Sequence, residues 1–280
     1  MPPQNKTEPL TYESEKIAER LQFADGLAWA RAGFLAVADV RQNKLFQYES
    51  DPRPTLKVWR DNDGGASGLA YDLQERLYIC ESVERRVTRL DAAGKLETLA
   101  DSFQGKKFNA PNDIVVRRDG HVFFTDPAFG SAGDRRELDF YGVWHISPKG
   151  ELDVAAKWQT RPNGVTLSPD GKLLYVADSD RHAVVAFDLD RNGAAGNARD
   201  LIRNIAGVPG GIRTDVEGRL YIAARGVAVY SPQGKLQRTY MEGENTSNCA
   251  FGAGDLESLF IAARHSLYRL KIGVKGALQY

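Results

Sequence analysis

Four histidines and two cysteines in 280 residues leave little material for chemistry based on soft metals or thiols. The chain has no CxxC or HExxH spacing, which excludes the common zinc arrangements. It also has no GxSxG turn and no phosphate-cradling glycine loop, which excludes a serine-hydrolase elbow and a P-loop. Charge of one sign is missing as well. The 37 basic and 37 acidic side chains balance and are well mixed, so neither a nucleic-acid footprint nor a membrane-surface patch is predicted. No apolar run approaches the ~18 residues of a transmembrane span. The opening "MPPQNKTEPLTYESEK" has no apolar h-region, so no signal peptide is predicted. Cys80 and Cys249 sit in apolar, strand-like contexts and read as buried free thiols rather than a disulfide framework. These absences predict a soluble, cytoplasmic protein acting on a small molecule, and they leave the oligomeric state open. The sequon at Asn245 carries no meaning in that setting.

Helical periodicity is absent almost throughout. Only Tyr12 to Leu21 scores as a helix, and "IAERLQF" reads equally as an edge strand. What is present is a repeat. Short runs rich in Val, Ile, Tyr and Phe recur as "FLAVADV" at Phe34, "RLYICES" at Arg76, "VFFTDPA" at Val122, "LLYVADS" at Leu173, "RLYIAAR" at Arg219 and "LFIAARH" at Leu259. Most follow a turn signal such as "RDG", "PDG" or "VEG". Their spacing of about 40–50 residues is that of a propeller blade. Each run is preceded by another strand with its own phrase: "ADGLAW", "ASGLAYD", "PNDIVV", "PNGVTLS", "PGGIRTD" and "SNCAFG". Further alternating stretches follow each run. The pattern predicts an all-β, six-bladed β-propeller. It is one domain over residues 1–280, with residues 1–9 a flexible start and an N-terminal strand completing the last blade and closing the ring.

In a propeller the first strand of each blade lines the axis. Alignment of the six phrases on their polar residue gives Asp25, Ser67, Asn112, Asn163, Gly210 and Asn248. Turn chemistry alone accounts for any one of these. As a ring, five oxygen-bearing side chains converge on one tunnel mouth, which suits a hard divalent cation.

The stretches "GKKFNAPNDIVVRRDGHVFFTDPAFG" (105–130), "RPNGVTLSPDGKLLYVADS" (161–179) and "NCAFGAGDLESLFIAA" (248–263) resemble the senescence-marker-protein, gluconolactonase and luciferin-regenerating-enzyme family, and the likeness extends over nearly the whole chain. The resemblance implies a six-bladed propeller and a metal-dependent lactone hydrolase. In that family a first-blade glutamate, asparagines in the third and fourth phrases and a fifth-blade aspartate hold the metal, and the aspartate is the proposed general base. Carried over, Asn112 and Asn163 match. Asp25 stands where the glutamate would be, and Gly210 where the aspartate would be.

The expected metal set is therefore Asp25, Asn112 and Asn163, for Ca, Mg, Mn or Zn. With one carboxylate instead of two, the ion is held weakly or not at all. Asp25 and Asn112 are the expected catalytic residues. Glu81, in "CESVERRV", is the candidate second carboxylate among the strand-end acids Asp39, Glu81, Asp126 and Asp178, most of which read as structural. His145 and His265 are further candidate bases, whereas His121 and His182 read as turn residues. The loss of a side chain at Gly210 predicts a wider mouth for a bulkier or more apolar substrate, in contact with Trp29, Asn112, Phe129, Gly210, Asn248 and Phe251. Three functions stay open: a lactone hydrolase, a diverged metal-independent propeller enzyme catalysing ring-opening, condensation or isomerisation, and a non-catalytic ligand-binding propeller.

Overall fold

Runs of β-branched and aromatic residues between tight turns form antiparallel strands. The glycines that end "RDG", "PDG" and "VEG" take positive φ (91° at Gly120, 68° at Gly171, 78° at Gly218), a conformation open to glycine without a Cβ penalty. The computed structural model describes residues 12–277, apart from 51–52, 130–132 and 134; the start expected to be flexible lies outside them. Every element of four or more residues is a strand, and no helix among the described residues is long and apolar enough to cross a membrane.

The chain forms an all-β propeller. Three sheets have four strands each: β5 (Ala66–Tyr71) to β8 (Leu96–Ala100), β11 (Ile114–Val116) to β14 (Leu152–Trp158), and β15 (Pro162–Leu167) to β18 (Ala195–Ile202). A three-stranded sheet runs from β19 (Ile212–Thr214) through β20 (Leu220–Tyr230) to β21 (Leu236–Asn245). A small ribbon joins β9 (Ser102–Phe103) and β10 (Lys106–Lys107).

The remaining strands alter the expected count. They make a single six-stranded sheet, ordered β22 (Asn248–Gly252), β23 (Ser258–Lys271), β1 (Ser14–Ala30), β2 (Phe34–Asp39), β3 (Lys44–Glu49) and β4 (Thr55–Asp61). Among the described residues there are therefore five blade-sized sheets, not six. The cause is β1, a strand of 17 residues that is held at both ends by different partners. Ser14 to Glu19 and Ala24 pair with β23, and Ala24 to Ala30 pair with β2. The first and last repeats share this strand and merge. The registers shift between Glu19 and Ala24, where Arg20 takes a φ of 68°. The stretch that scored as helix or edge strand is thus largely β1.

Neighbouring sheets pack face to face, so central strands are buried on both sides and read as unbroken apolar runs instead of alternating ones. All five residues of β6 (Leu77–Glu81) and of β12 (Val122–Asp126) are buried, while the outer β4 is mostly exposed. One interface joins Tyr78, Cys80 and Val87 to Phe108, Phe124 and Trp144. Trp144 is fully buried and packs edge-on against Phe108 at 5.1 Å. Both cysteines are buried and free.

Candidate functional site

Six inner strands surround the axis: the C-terminal part of β1, then β5, β11, β15, β19 and β22, each in contact with the next and β22 with β1. Their leading residues form the floor of a cavity of about 490 Å³: Asp25, Ser67, Asn112, Asn163, Gly210 and Ser247. Equivalent backbone bonds set the register. The N–H groups of Asn112, Gly210 and Ser247 donate to Thr125 O at 2.8 Å, Ala223 O at 2.8 Å and Ala262 O at 2.9 Å, each acceptor lying in the central strand of the same sheet. The sixth position is thus Ser247, one residue before the expected Asn248. Asn248 is buried behind the floor, where its Oδ1 accepts the Cys249 N–H at 2.9 Å and its side chain hydrogen-bonds Asp25.

Close backbone approach explains why the phrases read polar-then-glycine. A Cβ on Gly26 would overlap the Ser67 carbonyl, one on Gly68 would crowd that of Asn112, and one on Gly164 would overlap that of Gly210. The third phrase has Asp113 instead of glycine, and its Oδ2 accepts the Val165 N–H at 3.0 Å. Gly210 itself is packed against the Ser247 carbonyl. The expected widening at Gly210 is therefore corrected: neighbouring backbone fills the room a side chain would need.

Among the described residues Asp25 is the only carboxylate lining the cavity. Its Oδ2 accepts the Ser67 hydroxyl at 2.9 Å. Burial, reinforced by the nearby Asp113 charge and opposed by the bonds from Ser67 and Asn248 and by Arg213, pushes its pKa up to about 6. Asn112 donates an amide hydrogen to Ser67 Oγ at 3.3 Å, and Asn163 donates one to Ser179 Oγ at 2.9 Å. With the nitrogens anchored, the amide oxygens are left to serve as acceptors or ligands.

Other expected residues are placed elsewhere. Trp29 and Phe251 sit at the opposite ends of their inner strands from the floor residues; Trp29 stacks on Phe260 and Phe251 meets Tyr221 edge-on. They are walls of the far end of the tunnel, because the four residue steps from Asp25 to Trp29 and from Ser247 to Phe251 carry an extended strand ~13 Å along the axis. Phe129 does line the cavity, under the Arg161 guanidinium at 4.8 Å. Glu81 does not: it is buried, with its two oxygens on Arg86 Nε at 2.6 Å and Thr88 Oγ1 at 2.7 Å. Asp39, Asp126 and Asp178 likewise accept backbone N–H groups, among them those of Phe23, Ala110 and Arg181. Among the described residues no histidine lines the cavity. His121 and His145 bury each other, Nδ1 to Nε2 at 2.6 Å, so His121 is more than a turn residue. His265 Nδ1 lies 3.0 Å from Leu21 O, and His182 Nδ1 lies 2.6 Å from Gly207 O. Val83, Val208 and Arg135 reach the cavity from between the runs and phrases, and Phe23 and Arg264 from within β1 and β23; none of them is the polar residue on which the phrases align.

The donor set suits a hard cation. Asp25 is a desolvated carboxylate short of compensating charge, and the Asn112 and Asn163 oxygens are acceptors without protons. No group of three or more His, Cys, Asp or Glu side chains is placed to hold a metal ion among the described residues, so a site here rests on one carboxylate and neutral oxygens, a combination of modest affinity.

The sequence pattern of the SMP-30/Gluconolactonase/LRE-like region matches residues 14–265. A gluconolactonase of Zymomonas mobilis is 30% identical over 92% of this chain and 80% of its own. The solved gluconolactonase of Xanthomonas campestris superposes with a TM-score of 0.85 at 30% identity, over 93% of this chain and 89% of that one. The luciferin-regenerating enzyme shares the fold, with a TM-score of 0.81 at 19% identity over 95% of this chain and 97% of its own. The chain belongs to the SMP-30/gluconolactonase/LRE-like family.

Proposed function

We propose that the protein is a gluconolactonase-like hydrolase that opens a small cyclic ester at the tunnel mouth. The observation that carries this reading is the convergence, in one cavity, of Asp25 with the Asn112 and Asn163 amides turned so that their nitrogens are already bonded. Family membership and the gluconolactonases of Zymomonas mobilis and Xanthomonas campestris support it. In this reading the N-terminal half of β1, bonded to β23, closes the ring, and the enzyme works on its substrate in the cytoplasm.

Asp25, Asn112 and Asn163 would hold a divalent cation (Ca, Mg, Mn or Zn). When bound, such an ion supplies Lewis acidity where negative charge develops on the ester oxygen. The chain's own residues do the rest. Ser67, bonded to Asp25 and Asn112, fixes the carboxylate and the amide relative to one another. Ser179 does the same for Asn163 and is anchored in turn by Pro209 O at 3.0 Å. Phe129 and Phe23 flank the cavity and exclude bulk water from the ring being opened. Hydrolysis adds water across the ester C–O bond and leaves an acid and a hydroxyl. Gly210 contributes no base, so the proton must leave through Asp25 or through solvent.

A second reading follows from the same glycine. Without a second carboxylate Asp25 can act alone as acid and base, in a metal-independent ring-opening, condensation or isomerisation. A non-catalytic binding role would leave Asp25 without chemistry. Chelator-stripped protein separates the three. Turnover restored by a divalent ion supports the first reading, undiminished turnover the second, and none on any lactone with any ion the third.

A further inference from the structure

We infer that the substrate carries an apolar body and a negatively charged group, and is not a polyhydroxylated sugar ring. This deepens the lactone-hydrolase reading and depends on it only for the word lactone.

The first support is the hydroxyl groups at the cavity. A sugar ring needs free donors and acceptors, and a buried hydroxyl left unpaired is costly. Each hydroxyl lining the cavity is already donating within the protein: Ser67 to Asp25 at 2.9 Å, Ser82 to Gly65 O at 2.8 Å, Thr246 to Gly226 O at 2.8 Å and Ser247 to Ala24 O at 2.6 Å. The walls between them are apolar. Val83 and Val208 stand on the rim 51% and 57% exposed, and Phe23, Val40 and Phe129 continue the same surface. Exposed aliphatic side chains around a cavity are stabilised when an apolar ligand covers them.

The second support is charge. Arg135 and Arg264 line the cavity and are exposed. Arg264 sits over the Phe23 ring at 5.9 Å, and among the described residues neither arginine has an acidic partner. Arg161 beside Phe129 is different, since it is tied to Asp180. The acid of the site, Asp25, lies at the floor. A carboxylate on the substrate would meet two guanidinia at the rim while the reacting ring points down to Asp25, Asn112 and Asn163. Guanidinium groups are well matched to carboxylates.

The test compares four lactones: D-glucono-1,5-lactone, D-glucaro-1,4-lactone, dihydrocoumarin and dihydrocoumarin with a ring carboxylate. The carboxylated dihydrocoumarin is expected to have the highest kcat/KM, about tenfold or more above dihydrocoumarin, as one charge-assisted contact gives. In the double variant Arg135→Gln with Arg264→Gln that ratio falls towards one. Binding of the hydrolysis-resistant lactams, 3,4-dihydroquinolin-2-one and its ring carboxylate, is measured by calorimetry on the same proteins. A tighter carboxylated lactam, lost in the double variant, upholds the inference even if no lactone is opened, in which case only the hydrolase reading fails. Equal binding of the two lactams, or a preference for either sugar lactone over both coumarin lactones, overturns it. Circular dichroism of the double variant establishes that it is folded.

Discussion

A Cβ on Gly210 would overlap the carbonyl oxygen of Ser247. Gly211 donates its N–H to that same carbonyl at 2.9 Å, so the fifth and sixth inner phrases are in backbone contact. A side chain at position 210 therefore needs this backbone to move.

The first prediction concerns that packing. Gly210→Ala should destabilise the protein by about 1–3 kcal/mol, the usual cost of forcing atoms into a filled site, seen as a lower urea midpoint. Gly210→Asp should do at least as much and should not raise divalent affinity. A Gly210→Asp variant with native stability and tighter calcium binding in a calorimetric titration would contradict this.

Asp25→Asn should abolish lactone turnover, by about 10²-fold or more, as for loss of a charged group from a reacting centre. The fold should remain, because asparagine can still accept the Ser67 hydroxyl. Steady-state kinetics beside a melting curve checks both halves.

Glu81→Gln should have the opposite profile. Its carboxylate is buried on Arg86 and Thr88 and away from the cavity, so the loss should be one of stability, about 1–3 kcal/mol for a buried charged hydrogen bond. At a temperature where the variant is folded, KM and kcat should stay near those of the wild type. A collapse of kcat with an unchanged urea midpoint would return Glu81 to the reaction.

The buried His121–His145 pair predicts a pH effect on stability. Burial, together with the nearby Arg117, lowers both imidazole pKa values, and the His121 charge further lowers that of His145; Asp119 and Asp190 oppose this at His121, and Asp153 and Asp190 at His145. A folded-state pKa below the unfolded ~6.5 means the unfolded chain takes up more protons. The pair's contribution is present above pH ~6.5 and is lost as pH falls through the folded values. Burial raises Asp25 and Asp126 to about 6 and about 7, and these act with the reverse sign, so the informative quantity is a difference. Urea midpoints of the wild type and of His145→Phe, whose ring would stack on Phe123 as His145 does at 5.0 Å, should converge as pH falls from 8 to 5. Parallel curves would contradict the account.

Much of this was legible in the sequence, and for physical reasons. Propeller strands repeat because each sheet solves the same packing problem, so the six runs and six phrases locate the inner and central strands. The phrases locate Asp25, Asn112 and Asn163 among six ring positions, the family resemblance singles them out as a ligand set, and they do share one cavity. The sheet count did not follow, because nothing in "SEKIAERLQFADGLAWA" marks where one strand changes partner. The last phrase has two polar residues in succession, Ser247 and Asn248, and only the backbone bond to Ala262 O distinguishes Ser247 as the floor residue. Trp29 and Phe251 line the far end because each lies four residues along its strand from the floor residue, a direction the spacing of the repeat does not carry. Val83, Val208 and Arg135 lie outside the runs and phrases, and Arg264, though within "LFIAARH", is not a position on which the repeat aligns, so the spacing does not carry any of them to the rim.

The central claim is that Asp25, Asn112 and Asn163 form a cation-assisted lactone-opening site despite Gly210. The direct measurement is lactone hydrolysis by chelator-stripped protein titrated with calcium, magnesium, manganese and zinc, alongside Asn163→Leu. Turnover that returns with one of these ions, with the half-saturating ion concentration raised about tenfold or more in the variant, is the predicted result. Full turnover in chelator, or none with any ion, would contradict it.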